Sequence, residues 1–222
     1  MSNAVLVMGP SGSGKSSSIE RLDPSTTFVI NVISKPLPFK GYKKRYIPIE
    51  GWEDTTGNYY ASDDWQRIIK CLRMINESRP EITTVVIDDW QFLMSGEFMR
   101  RVSEKGYEKF SELAMHAWST ISALVSCRDD LTGFILTHTD LDMTGKSKAK
   151  TIGKLLDEKI TVEAMFTTVL QSRIIDGRYV FQTQGDDDHI AKSPRGLFNE
   201  MFIDNDLQDV KEKIESYFNE EE

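Results

Sequence analysis

The apolar positions fall into two alternating patterns: short unbroken runs, and longer stretches with apolar residues three and four apart. The runs predict buried strands and the spaced stretches predict amphipathic helices. The first run, residues 5–8 (Val-Leu-Val-Met), reads as a strand, and a helix is predicted from 15 to about 22. Asp23-Pro24 stops that helix, because the proline ring disfavours helical geometry in the residue before it. Residues 27–33 (Thr-Phe-Val-Ile-Asn-Val-Ile) are rich in β-branched and aromatic side chains and predict a second strand. Pro36, Pro38 and Gly41 mark a loop, and residues 46–49 predict a short strand that Pro48 confines to a sheet edge.

Ser62-Asp63-Asp64 offers caps for a helix carrying Trp65, Ile68, Ile69, Leu72 and Ile75 as far as Arg79, where Pro80 closes it. Residues 83–89 (Thr-Thr-Val-Val-Ile-Asp-Asp) form a buried-strand run ending in two carboxylates. Phe110, Leu113, Ala114, Ala117, Trp118, Ile121 and Leu124 set a long helix over about 107–126, and 132–137 predicts a strand ending at His138. Residues 140–155 are polar and Lys-rich, hold no sustained period and read as a mobile loop. Residues 166–175 and 178–184 predict a hairpin, because Asp176-Gly177 suits the two positive-φ positions of its turn. A second loop over 185–196 precedes a C-terminal helix over 205–219, with Leu207, Val210, Ile214 and Tyr217 on one face. Strands alternating with helices, without repeat or linker, predict a single α/β domain over 1–222. The sheet is expected to be mainly parallel and flanked by helices, with an antiparallel hairpin at one edge.

Composition narrows the class. The chain has 222 residues, enough for one domain with a sizeable core, and 39% of them are hydrophobic. No apolar run approaches the length that spans a bilayer, and Met1 leads straight into the first strand, so neither membrane span nor signal peptide is expected. Cys71 and Cys127 lie in helix-like segments without metal-ligand spacing and are expected to be reduced and buried, which points to the cytoplasm. A net charge of −8 excludes a uniformly basic nucleic-acid surface. The charge is uneven, with acid in Asp186-Asp187-Asp188 and Glu220-Glu221-Glu222 and base in Lys35, Lys40, Lys43, Lys44, Arg45 and in 146–159.

Candidate chemistry begins where the first strand ends. Gly9-Pro10-Ser11-Gly12-Ser13-Gly14-Lys15-Ser16 is a complete P-loop. Its glycines let the backbone curl so that N–H groups, Ser17 included, face phosphate oxygens. Lys15 can reach the β/γ-phosphates of a nucleotide, and the Ser16 hydroxyl can ligate Mg²⁺. The helix predicted from Lys15 would add its N-terminal partial charge. The run ending in Asp88-Asp89 is what a Walker B strand supplies: Asp88 to hold Mg²⁺, with Asp89 either polarising an attacking water or capping the following turn. Segment 27–33, lying between the two motif strands in sequence, suggests a strand interposed between them in the sheet. That is the layout of RecA/AAA-type ATPases rather than of simple nucleotide kinases.

Other residues are open to two readings each. Glu50, at the end of the predicted edge strand, is a second candidate for activating water, or a solvated loop acid. His138, at a strand tip, is a γ-phosphate sensor or a structural histidine; His116 and His189 are not at metal-ligand spacing with it. Lys146, Lys148, Lys150 and Lys154 belong to a solvated loop, or to one that contacts nucleic-acid phosphate or a neighbouring subunit's site. Lys192 and Arg195 are a simple turn, or trans charge stabilisers in the arginine-finger manner.

The P-loop, the Walker B strand continuing as Trp90-Gln91-Phe92-Leu93-Met94, the Tyr107-Glu108-Lys109-Phe110 helix start and the Ala191-Lys192-Ser193-Pro194 turn resemble bacteriophage-encoded P-loop ATPases of the RecA/AAA-like superclass. These are minimal single-domain proteins, some of which act in recombination and single-strand annealing. The resemblance implies ATP and Mg²⁺ at Lys15, Ser16 and Asp88, a homo-oligomer, and a role in phage DNA metabolism with single-stranded DNA and phage replication or recombination proteins as partners. The acidic net charge departs from that picture, and only Tyr42-Lys43-Lys44-Arg45-Tyr46 approaches the aromatic-interleaved basic stretch of a single-strand platform. Two alternatives stand beside an ATPase: a nucleotide-kinase-like phosphotransferase, and an NTP-dependent binding switch with little turnover.

Overall fold

Strand β1 (Asn3–Gly9) directs Val5 and Val7 to one face and Leu6 and Met8 to the other, and all four are buried. A strand apolar on both faces must lie inside a sheet covered on both sides. The computed structural model, which describes residues 1–153 and 155–219, shows that arrangement. Lys154 and the acidic tail Glu220-Glu221-Glu222 lie outside the described residues.

The strands that follow are β2 (Thr27–Asn31), β3 (Tyr59–Ala61), β4 (Thr84–Asp88), β5 (Thr132–Leu141), β6 (Ser147–Ala149), β7 (Thr168–Ile175), β8 (Arg178–Gln182) and β9 (Phe202–Asp204). Among the described residues they form a nine-stranded sheet in the order β3-β2-β4-β5-β1-β7-β8-β9, with β6 paired to β5. The core from β3 to β7 is parallel; β8, β9 and β6 join antiparallel. The α helices are α1 (Tyr42–Arg45), α2 (Trp65–Ser78), α3 (Gln91–Arg100), α4 (Glu108–Val125) and α5 (Leu207–Asn219). One apolar layer packs α2, α3 and α4 on the Leu6/Met8 face; the other packs α5, the segment after the P-loop and residues 37–46 on the Val5/Val7 face. This is an α/β fold, a mainly parallel sheet covered by helices on both faces with antiparallel strands added beyond β7. No helix is long and apolar enough to cross a membrane among the described residues.

Most predicted elements form where the pattern places them. Asp64 caps α2 by accepting from the N–H groups of Gln66 (2.9 Å) and Arg67 (3.3 Å). Asp176 (φ +50°) and Gly177 (φ +76°) make the tight turn between β7 and β8. Both cysteines are buried and unpaired, and burial pushes their thiols up.

Four expectations change. The helix predicted from Lys15 is a 3-10 segment, Ser16–Arg21. Three successive serines favour it weakly, and the Ser18 hydroxyl donates to the Lys15 carbonyl at 2.5 Å, competing with the backbone. So short a segment carries little dipole. Residues 46–49 form no strand: α1 takes 42–45, Tyr46 is buried, and Pro48 makes a single bridge to Tyr59 on the edge strand β3. Arg45 caps the carbonyls of Glu20 and Leu22, and burial pushes the Tyr46 hydroxyl up to about 12.

A strand does separate P-loop and Walker B strands, but it is β5, not β2; β2 lies on the far side of β4. Finally, residues 139–149 are an antiparallel hairpin rather than an unstructured loop. Asp142 closes its turn by accepting from the Thr144 N–H (2.8 Å), the Thr144 hydroxyl (2.6 Å) and the Lys146 N–H (2.9 Å).

Candidate active site

The P-loop leaves β1 at Gly9, the position paired with His138 of β5, so the loop opens at the carboxyl end of the parallel strands. Gly9 has no space for a side chain: a Cβ there would meet Ser13 Oγ at 2.6 Å and the Ser172 carbonyl oxygen at 2.7 Å. Gly14 carries φ +99°, and a Cβ there would meet Tyr179 and Asn205 at 2.8 and 2.9 Å. The loop is braced from β7, where Ser172 donates its hydroxyl to the Ser13 carbonyl (2.7 Å) and accepts from the Asn205 amide (3.1 Å). Pro10, Ser11, Gly12 and Ser17 form the exposed rim, while Ser13, Gly14 and Lys15 are buried.

Lys15 folds its ammonium group under the loop, donating to the carbonyls of Gly9 (2.8 Å) and Pro10 (2.9 Å). Burial lowers its pKa to about 8 despite the attraction of Asp89 and Asp88. From the Walker B strand, Asp88 Oδ1 accepts from the Ser16 hydroxyl at 2.9 Å. Asp88 Oδ2 is buried with no hydrogen-bond partner among the described residues. Burial and the charge of Asp89 push the Asp88 carboxyl up to about 6.

Asp89 takes a left-handed backbone (φ +61°), which turns its side chain back toward the strand ends. It ion-pairs with Lys35 and faces His138 Nε2 at 3.5 Å. Burial opposes its ionisation, but His138 and Lys35 together hold its carboxyl below the usual range. His138 is in turn placed by Gln91, whose Oε1 accepts from the His138 N–H and the Thr137 hydroxyl, both at 3.1 Å. The Phe92 ring meets the imidazole edge-on at 5.9 Å between centroids.

The structure thus brings together Lys15, Ser16, Asp88, Asp89 and His138, five of the residues singled out in the sequence. Glu50 is not among them. It is exposed in the turn beside β3, at the edge of the sheet, where its N–H donates to Asp54 at 2.9 Å. Lys146, Lys148 and Lys150 lie on the β5–β6 hairpin, and the Lys150 N–H donates to the His138 carbonyl at 2.8 Å. Lys192 bridges Val169 on β7 through its backbone, and Arg195 is exposed, its carbonyl accepting from Tyr217.

Five residues that the fold brings to the site were given no role there by the sequence: Lys35, Gln91, Ser172, Tyr179 and Asn205. Lys35 could have been inferred only from the pairing of Asn31 with Asp88, which sets the loop after β2 beside the Walker B strand end. The oxygens at hand suit a hard divalent cation: a partnerless carboxylate oxygen on Asp88 beside the hydroxyl of Ser16. A curled loop with a lysine beneath it suits the triphosphate.

Neither the known family profiles nor the curated proteins contain a match to this chain. Among solved structures, the chain is similar to the genome packaging NTPase B204 from Sulfolobus turreted icosahedral virus 2, in complex with ATP-gammaS. That likeness has 12% identity, spans 77% of this chain and 74% of that one, and has a TM-score of 0.41. The chemistry of the site rests on this chain's own residues.

Proposed function

We propose that the protein binds Mg·ATP and hydrolyses it. The observation that carries this reading is the Ser16–Asp88 contact: hydroxyl and carboxylate meet at 2.9 Å, next to Lys15, with one Asp88 oxygen left without a partner. Ser16 and Asp88 would hold Mg²⁺, which when bound neutralises phosphate charge. Lys15 exchanges its contacts with the Gly9 and Pro10 carbonyls for phosphate oxygens, and the N–H groups along 10–17 cradle the rest. Asp89, held by Lys35 and His138, orients the attacking water and accepts its proton. Glu50 takes no part in this reading. The separation of β1 from β4 by β5 favours hydrolysis over a kinase-like transfer.

Coupling to single-stranded DNA is the further part of the proposal. The β5–β6 hairpin carries Lys146, Lys148 and Lys150, and its base is the strand that presents His138 to Asp89. Phosphate contact at the hairpin can therefore bias the geometry at Asp89. A trans role for Lys192 and Arg195 requires a homo-oligomer. A place in phage recombination, annealing or replication in the host cytoplasm is supported by the sequence resemblance alone.

Phosphate release measured with and without single-stranded DNA, with a nucleoside monophosphate acceptor panel and a Lys15→Ala control, tests the reading. We expect Mg²⁺-dependent release that Lys15→Ala abolishes and DNA accelerates. Transfer to a monophosphate acceptor would replace hydrolysis by kinase chemistry. A rate indifferent to DNA would remove the coupling. Since the coupling rests on lysine–phosphate contacts, it should weaken steeply with salt.

A further inference from the structure

Ser16, Lys15 and Asp88 set one end of the site. Asp88 lies on β4, reached from β1 across β5, so the metal and the terminal phosphate belong to that side of the P-loop. A nucleotide laid along the loop must then run its nucleoside toward the other neighbour of β1, the side of β7, β8 and β9. Two side chains close against the loop there. Tyr179 of β8 and Asn205, in the turn before α5, both press on the face of Gly14, where even a Cβ would collide with them.

Tyr179 is 53% exposed, whereas Phe181, two positions along the same strand and on the same face, is fully buried in the apolar layer. The tyrosine therefore stands at the edge of the core, half-exposed beside the phosphate loop. Asn205 is oriented by its own hydrogen bond, its amide NH₂ donating to Ser172 at 3.1 Å, which turns its Oδ1 toward Gly14. A half-exposed aromatic ring beside an amide oxygen offers stacking and hydrogen-bond acceptance, the chemistry that a nucleobase with an exocyclic amine fits.

We propose that Tyr179 is the platform on which the base of the bound nucleotide stacks, with Asn205 Oδ1 accepting from the amino group of a purine. This rests on the nucleotide-binding reading above. The P-loop is then gripped between two subsites: Asp88 and Ser16 for the phosphate end, Tyr179 and Asn205 for the base. The same two residues enforce Gly14, so base recognition and loop geometry share one contact.

The test compares binding of Mg·ATP and of inorganic tripolyphosphate, which has no base, by calorimetry in wild type, Tyr179→Ala and Tyr179→Phe. Tyr179→Ala should weaken ATP about tenfold, the size of one base–aromatic stack, and leave tripolyphosphate unchanged. Tyr179→Phe should stay within about twofold of wild type for both, since it keeps the stacking face. A 2-aminopurine nucleoside triphosphate, quenched when its base stacks, should be quenched by wild type and Tyr179→Phe but not by Tyr179→Ala. ATP affinity untouched by Tyr179→Ala overturns the platform while leaving nucleotide binding intact. Equal losses of ATP and tripolyphosphate overturn it too, because the residue would then only support the loop. Wild type that binds neither compound overturns both readings together.

Discussion

Replacing Lys15 by Met tests the electrostatics of the P-loop without reference to turnover. Lys15 is 5% exposed, and the pKa of its ammonium group is lowered from 10.5 to about 8 by burial. Below pH 8 both folded and unfolded chains hold the proton, and the full cost of burying the charge stands. Between pH 8 and 10.5 the folded state releases the proton first, so the unfolded state binds more protons and stability rises with pH. Over that interval wild type should gain roughly 3 kcal/mol on Lys15→Met, from two to three pKa units at about 1.4 kcal/mol each. Taking the difference between the two proteins cancels the titration of every other lysine. It also sets aside the constant cost of leaving the Gly9 and Pro10 carbonyls without their donor. Urea unfolding followed by circular dichroism at pH 7, 8, 9 and 10 gives the comparison directly. Stability curves for the two proteins that run parallel across this range would refute the buried, depressed lysine. Tripolyphosphate should flatten the difference, because a bound anion restores the proton.

Asp88→Asn should stabilise the ligand-free protein at pH 7 while removing Mg²⁺-dependent phosphate release. The folded-state carboxyl holds its proton up to about pH 6, so its burial penalty is present above that pH and relieved as the pH falls toward 4. Removing the charge is worth roughly 3 kcal/mol by the same conversion; a thermal melt showing Asp88→Asn less stable would contradict the assignment. Gly133→Ala addresses how β5 is seated. A Cβ there would lie 2.8 Å from Cγ, Cδ1 and Cδ2 of the buried Leu124 on α4. Overpacking should cost about 1–3 kcal/mol despite the better strand propensity of alanine. Combining it with Leu124→Ala should recover much of that cost in a double-mutant cycle, and additive losses in urea unfolding would show that the two positions do not meet.

Local pattern alone determined the elements whose causes are local. The strands at 5–8 and 83–88, the capped helix after Asp64, the Asp-Gly turn and the P-loop each follow from residues within a few positions of one another. The chain could also be read as α/β with a hairpin at one edge, and Lys15, Ser16 and Asp88 as candidates for one site, which the fold brings together. What it could not tell was which strands pair. Proximity in sequence pointed to 27–33 as the strand between the two motifs; the sheet instead inserts β5, which begins at Thr132, well beyond the end of β4 at Asp88. That choice belongs to long-range packing, including the Gly133–Leu124 seat under α4. The same is true of the side chains that complete the site. Lys35 reaches Asp89 only because β2 pairs with β4, and Tyr179 and Asn205 reach Gly14 only because β7, β8 and β9 fold back beside β1. A backbone cradle is built from neighbouring residues and is legible in order. The partners that set its charge, strain and ligand fit arrive from distant segments, and only the tertiary fold brings them within hydrogen-bonding distance.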